Sequence, residues 1–114
     1  MKILCFVFLI VVLFSIVGCV RYGEETMKHK DSILIDVRSE EEFASGHIDG
    51  AINIPHDVIG ERIVEVTTDK TKPLYLYCRS GRRVGIAIDV LKPMGYTNLH
   101  NLGGFEEAKK KWEK

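Results

Sequence analysis

The sequence has no surplus of either charge: 16 Lys and Arg stand against 16 Asp and Glu, and the pI is near 6.9. A nucleic-acid groove or an acidic tail would appear as an imbalance, so no nucleic-acid partner is expected and any charge-driven function is local. Cysteine is scarce. The three present are Cys5, Cys19 and Cys78, and position 81, where a Cys-x-x-Cys motif would place its second thiol, is glycine, which argues against a thiol–disulfide oxidoreductase. His47, His56 and His100 show no metal-ligand spacing with Cys78, so no metal and no other cofactor is expected. His29 falls in a polar stretch and adds nothing. There is no internal repeat or low-complexity tract, and 114 residues with 46% hydrophobic content suit one small domain, not two.

What is present is unevenly placed. Ile3 to Val17 holds no charge at all, while almost every charged residue follows it. A basic start at Lys2, an apolar run and then a small residue, Gly18, directly before Cys19 make the layout of a secretory signal. The end of that stretch, Ile16-Val17-Gly18-Cys19, resembles the bacterial lipobox, whose cysteine is lipidated and becomes the new N-terminus. Two other readings stay open: an uncleaved membrane anchor, for which the run is a little short of the ~20 residues that span a bilayer comfortably, and a core helix. The core helix is disfavoured because the segment is apolar all round. The expected organisation is therefore a lipoprotein-type signal at 1–18, a tether at 19–31 and a domain at 32–114. The domain is expected in the cell envelope, outside the cytoplasm, and on the periplasmic side in a cell with two membranes. Two or more acyl chains on Cys19 would hold it at the membrane without a basic patch. Cys78 would then be the only free thiol left in the mature protein.

Along the remaining chain, Ser32 to Val37 is rich in β-branched residues and reads as a buried strand. Ser39 with Glu42 three residues on is a capping-box signature, and Gly46 is a helix stop. His47 to Pro55 predicts a turn at Asp49-Gly50 and a second short strand. A helix follows over 56–66, then a turn over Asp69 to Pro73. "LYLYC" is a third strand, "RRVGIAIDVLKPMG" a helix ended by Pro93 and Gly95, "YTNLHNL" a fourth strand, and the last twelve residues a helix with Phe105, Ala108 and Trp112 on one face. Strands alternating with helices imply an α/β fold, an open and mostly parallel sheet with helices on both faces. Ligands in such sheets sit beyond the carboxyl ends of the strands, which is where Cys78 falls.

A strand, a tight loop and a helix start make an anion site, because several backbone N–H groups converge there without intrahelical acceptors. Gly81 lets the backbone curl closely. The helix dipole and the charges of Arg79, Arg82 and Arg83 all favour a thiolate at Cys78, and the thiolate is the nucleophile. The bland alternative is that Cys78 only packs, since free cysteine is often buried. Three arginines and a glycine within five positions argue against it, because an apolar packing site would not be walled with guanidinium groups.

Four segments in order, "LIDVRSEEEFASGHIDGAINIP", "LYLYCRSGRR", "MGYTNLHNLGG" and the terminal helix with Trp112, resemble the rhodanese family from about Ile33 to Trp112. The resemblance implies a rhodanese-like fold and a thiosulfate sulfurtransferase. In that family a six-residue loop, here Cys78-Arg79-Ser80-Gly81-Arg82-Arg83, cradles a sulfur carried on the cysteine as a persulfide. It further implies a small-molecule sulfur donor such as thiosulfate and a thiophilic acceptor such as cyanide or a thiol, with ping-pong kinetics. Arg79, Ser80, Gly81, Arg82 and Arg83 are the expected substrate-binding residues. Asp36 and Arg38 match the family's acidic and basic pair at the sheet end, and with His47 they are expected to support the site structurally.

Dual-specificity phosphatases of similar fold need a longer loop, a cysteine, five residues and then an arginine that clamps phosphate; counted from Cys78 that position is Val84, and Arg83 comes one residue early. A rival of another class is a tethered module that carries persulfide to a protein acceptor, or binds a partner, with little turnover of free thiosulfate. Two departures from the family pattern keep it open: Val84 replaces a frequent Ser or Thr, and the chain before Ile33 is short and polar.

Overall fold

The structure, a computed structural model, describes residues 31–114. The expected signal, Cys19 and all but the last residue of the expected tether lie outside the described residues. Eight elements alternate in chain order: β1 (Ile33–Asp36), α1 (Glu40–Ser45), β2 (Ile52–Asn53), α2 (Ile59–Val66), β3 (Leu74–Tyr77), α3 (Arg82–Leu91), β4 (Leu99–Asn101) and α4 (Phe105–Glu113). All pairings are parallel and the sheet order is β2-β1-β3-β4. The α/β reading of an open parallel sheet holds.

Alternation along the strands sorts side chains to two faces. Ile35 and Val37 from β1 and its end join Leu74, Leu76 and Cys78 from β3 and its end in one cluster, roofed by Ile59 and Ile63 of α2 and by Val84, Ala87 and Leu91 of α3. Leu34 and Tyr77 point the other way and meet Ala108 of α4, with Phe105 and Trp112 packed at the margin. Each fully buried aliphatic side chain of this kind contributes about 1.5–3 kcal/mol. Helices therefore cover both faces of the sheet.

Local differences from the expected elements have simple causes. The helix expected from residue 56 begins at Ile59, because Pro55, His56 and Asp57 are used in a turn that closes with the Val58 N–H on the Pro55 carbonyl. The turn expected at Asp49-Gly50 and the short strand after it are both present, the strand being Ile52–Asn53 and ending before Pro55, which has no N–H to give. Around α1 the capping box forms in both directions: Ser39 Oγ accepts the Glu42 N–H, and the Glu42 carboxylate accepts the Ser39 N–H.

The strand order places the site. From β1 the chain moves to one side, to β2, and the later strands lie on the other, so the order reverses between β1 and β3. Ligands in open α/β sheets bind outside the carboxyl ends at such a switch point. Asp36 and Tyr77 are register partners there, and Cys78 is the next residue.

Candidate active site

β3 ends at Tyr77 and hands the chain to the loop Cys78–Gly81, after which α3 begins. Gly81 caps α3 with φ 94, a left-handed conformation that side chains resist. That turn brings the Gly81 N–H to Cys78 Sγ at 2.8 Å, so the sulfur accepts a bond from the first free donor of the helix. Cys78 itself is fully buried. Its own N–H donates to the Gly103 carbonyl at 3.1 Å, tying the loop to the chain that leaves β4.

The head of α3 breaks a local rule. Its first turn holds no acidic residue and opens with Arg82 and Arg83, cations that add to the positive helix end when anions would offset it. Such an arrangement costs stability and raises the potential for an anion held in front of it. Arg79 and Ser80 are exposed on the loop and line a cleft of about 580 Å³ with Arg38, Glu42, Gly104 and Phe105. Arg82 is exposed at the helix start. Arg83 is engaged elsewhere: its two terminal nitrogens donate to the two oxygens of Glu42 at 2.7 and 3.0 Å. The Glu42 bond, foremost, holds the Arg83 guanidinium above its ordinary value. The same bond pulls the Glu42 carboxyl down to about 2.

Asp36 and Arg38 form a buried pair at the end of β1. Arg38 Nε donates to both carboxylate oxygens at 3.0 and 3.1 Å and Nη2 to Oδ2 at 2.7 Å, while Nη2 also reaches the Gly46 carbonyl at 2.6 Å. The guanidinium lies over Phe105, 4.8 Å from the ring centroid. Hydrogen bonding to Asp36, foremost, raises the Arg38 pKa further. With Nε and Nη2 bonded to protein acceptors, Arg38 braces the β1 end, the Gly46 cap of α1 and the head of α4 together. His47 is exposed, with Nδ1 donating to the Phe43 carbonyl at 2.9 Å and the ring stacked on Phe43 at 3.7 Å, so it closes the end of α1.

Four contributors to the site were not singled out from the sequence. Glu42 showed there only as a capping residue. Gly104 lies against the loop so closely that a Cβ would stand 2.6 Å from the Arg79 carbonyl oxygen. Tyr77, its phenol pushed up to about 12 chiefly by burial, accepts the Ile48 N–H at 3.1 Å and fixes the turn before β2. Phe105 supplies the ring under Arg38. The capping box and the paired glycines of "NLGG" were the local signals for the first two. Val84, where a longer phosphate loop would carry its arginine, is buried in the core beside Cys78.

The family model for the rhodanese-like domain matches residues 22–111. The chain belongs to the rhodanese-like family. Thiosulfate sulfurtransferase PspE of Escherichia coli (strain K12) is 42% identical over 73 residues, which cover 64% of this chain and 70% of that protein. YqhL of Bacillus subtilis (strain 168) is 46% identical over 85 residues, covering 74% of this chain and 63% of its own length. Among solved structures, a rhodanese with anions from E. coli superposes with a TM-score of 0.64 at 41% identity, covering 67% of this chain and 89% of that one. This rhodanese-like domain thus shares with sulfurtransferases both its fold and much of its sequence.

Proposed function

We propose that the protein is a thiosulfate sulfurtransferase that works through a persulfide on Cys78. The observation that carries this reading is the placement of Cys78 Sγ on the Gly81 N–H at the head of α3, inside a loop whose charged residues are all arginines. The similarity to PspE supports it independently.

The Cys78 thiolate attacks the outer sulfur of thiosulfate; a new S–S bond forms, the bond to the sulfonate sulfur breaks, and sulfite leaves with that electron pair. Cys78 then carries a terminal sulfur with one negative charge. Cyanide or a thiolate attacks that sulfur, taking it as thiocyanate or a hydropersulfide and returning the Cys78 thiolate. Charge and electrons balance at each step, and the two half-reactions give ping-pong kinetics. The loop amides and the positive end of α3 stabilise the terminal sulfur, Arg79 and Ser80 line the cleft that the anion enters, and Arg82 and Arg83 add positive charge at the head of α3.

Mass spectrometry of the protein after thiosulfate treatment, under non-reducing conditions, should show one added sulfur. Cys78→Ser should take up none and should form no sulfite or thiocyanate from thiosulfate and cyanide. Equal turnover by wild type and Cys78→Ser would overturn the reading.

The same proposal includes location. Lys2, the uncharged run from Ile3 to Val17 and the sequence Ile16-Val17-Gly18-Cys19 support a lipid anchor on Cys19 that holds the domain outside the cytoplasm. Processing in bacterial cells should be blocked by globomycin and leave a lipid-sized mass on Cys19. Recovery of the full-length unmodified chain would favour an uncleaved anchor.

A further inference from the structure

Among the described residues, Glu42–Arg83 is the one salt bridge that joins two separate helices. Its geometry is two parallel bonds at 2.7 and 3.0 Å, the fork-to-fork form that charged pairs adopt when they are strong. Glu42 is held in place from its own side as well: Oε1 accepts the Ser39 N–H at 3.4 Å and the Ser39 hydroxyl at 3.2 Å. The carboxylate is therefore aimed by the capping box of α1, and Arg83 comes to it. The pair stands between two clefts. Glu42 lines the one beside Arg79 and Ser80, and Arg83 lines a second of about 530 Å³ with His56, Asp57 and Arg62.

Arg83 is the second residue of α3, the helix whose cap N–H holds Cys78 Sγ, and a negative charge on Cys78 favours its charged form. An unpaired guanidinium there would add its full field to that of the α3 end, Arg79 and Arg82. Paired with a carboxylate at contact distance it acts as a dipole, whose field falls off faster. The other charges around the loop leave the question with Glu42. Asp36 and Arg38 neutralise each other at the end of β1; Glu106 and Glu107 line the same cleft as Arg79 and Ser80, but they are exposed at the head of α4, where solvent and salt screen them, and neither is paired with a loop arginine as Glu42 is.

We propose that Glu42 is a specificity-determining residue of this site: by holding both terminal nitrogens of Arg83 it lowers the positive potential over Cys78. The loop then accepts uncharged or singly charged sulfur carriers, such as a hydropersulfide, alongside a dianion such as thiosulfate. The statement about sulfur carriers rests on the sulfurtransferase reading; the statement about potential does not.

The test uses alkylation of Cys78 by iodoacetate and by iodoacetamide. In both, the thiolate sulfur bonds to carbon and iodide leaves, so the ratio of the two rates cancels the thiolate fraction and reads the potential at Sγ. Glu42→Gln is the informative variant, because glutamine also serves in a capping box and α1 should keep its start. At low ionic strength the iodoacetate to iodoacetamide ratio should rise by about threefold in Glu42→Gln, as expected for one charge added at several ångströms in a partly wet site, and the gain should shrink in high salt. Arg83→Gln should lower the ratio, and the double variant should lie closer to wild type than either single one. In steady state, KM for thiosulfate should fall in Glu42→Gln relative to KM for an uncharged hydropersulfide donor. An unchanged ratio in Glu42→Gln, or a rise that persists in the double variant, overturns the proposal. If no form of the protein turns over thiosulfate while the ratios move as expected, the electrostatic role of Glu42 stands and the donor assignment falls.

Discussion

Gly104 shows how little room surrounds the loop. Its backbone, at φ −79 and ψ 171, is one that any residue adopts, so an added methyl group would meet steric resistance alone. The obstacle is the Arg79 carbonyl, with its oxygen 2.6 Å and its carbon 3.3 Å from the Cβ position. Backbone cannot swing aside as a side chain can, so Gly104→Ala should cost about 1–3 kcal/mol, measured as a lower denaturation midpoint in urea. The same push displaces the loop that holds Cys78. Sulfur transfer should fall by about tenfold to a hundredfold, given what ~1 Å of misplacement costs a reaction. An unchanged midpoint with full activity would mean that the loop yields freely. Gly81 differs in kind, since its φ of 94 is left-handed, so a side chain there would be strained whatever the space around it.

Among the elements, α1 is held by polar contacts. It has six residues and none is buried, and a helix of that length has no stability alone. Its start rests on the Ser39–Glu42 box, its end on Arg38 and His47, and its middle on Arg83. Glu42 therefore gives the element a pH dependence. Its pKa falls from the ordinary 4.5 to about 2 in the folded protein. The unfolded chain binds a proton at this site before the folded one does as pH drops, so the stabilisation is complete above 4.5 and is lost as pH falls towards 2. Urea denaturation across that window should show stability declining, with a flatter decline in Glu42→Gln. Parallel slopes for the two proteins would place the acid sensitivity elsewhere. The helix α3 has no acidic residue in its own first turn and carries Arg82 and Arg83 at its head, the second of them paired with Glu42 of α1, and that is the end that meets the sulfur.

At the scale of the molecule, one sheet divides two apolar clusters, and the loop joins them. Cys78 and Val84 belong to the cluster under α2 and α3, while Arg38, stacked on Phe105, is tied to the cluster under α4. Trp112 is the sole tryptophan of the chain and reports the α4 side through Tyr75, 5.5 Å away between ring centroids. Because β1 and β3 contribute to both faces, the two clusters should melt together. Urea transitions followed by tryptophan fluorescence and by far-UV circular dichroism should coincide; a fluorescence change at lower urea would mean that α4 opens first.

The sequence by itself determined the order of elements, the parallel sheet, the capping box and the position of Cys78 between a strand and a helix start. These follow from local causes: hydrophobic periodicity, glycine and proline punctuation, and the spacing of a few side chains. It also set aside a phosphate clamp, since Val84 stands where the arginine would be. Only the tertiary structure decided which of the loop arginines is held by a carboxylate. Arg79, Arg82 and Arg83 are equivalent as letters in a run, and they part company because α1, folded 41 positions earlier in the chain, delivers Glu42 to Arg83. The close approach of Gly104 to Arg79 and the ring of Phe105 beneath Arg38 were hidden for the same reason. Contacts between distant segments depend on where the sheet brings the chain, and no local pattern records it.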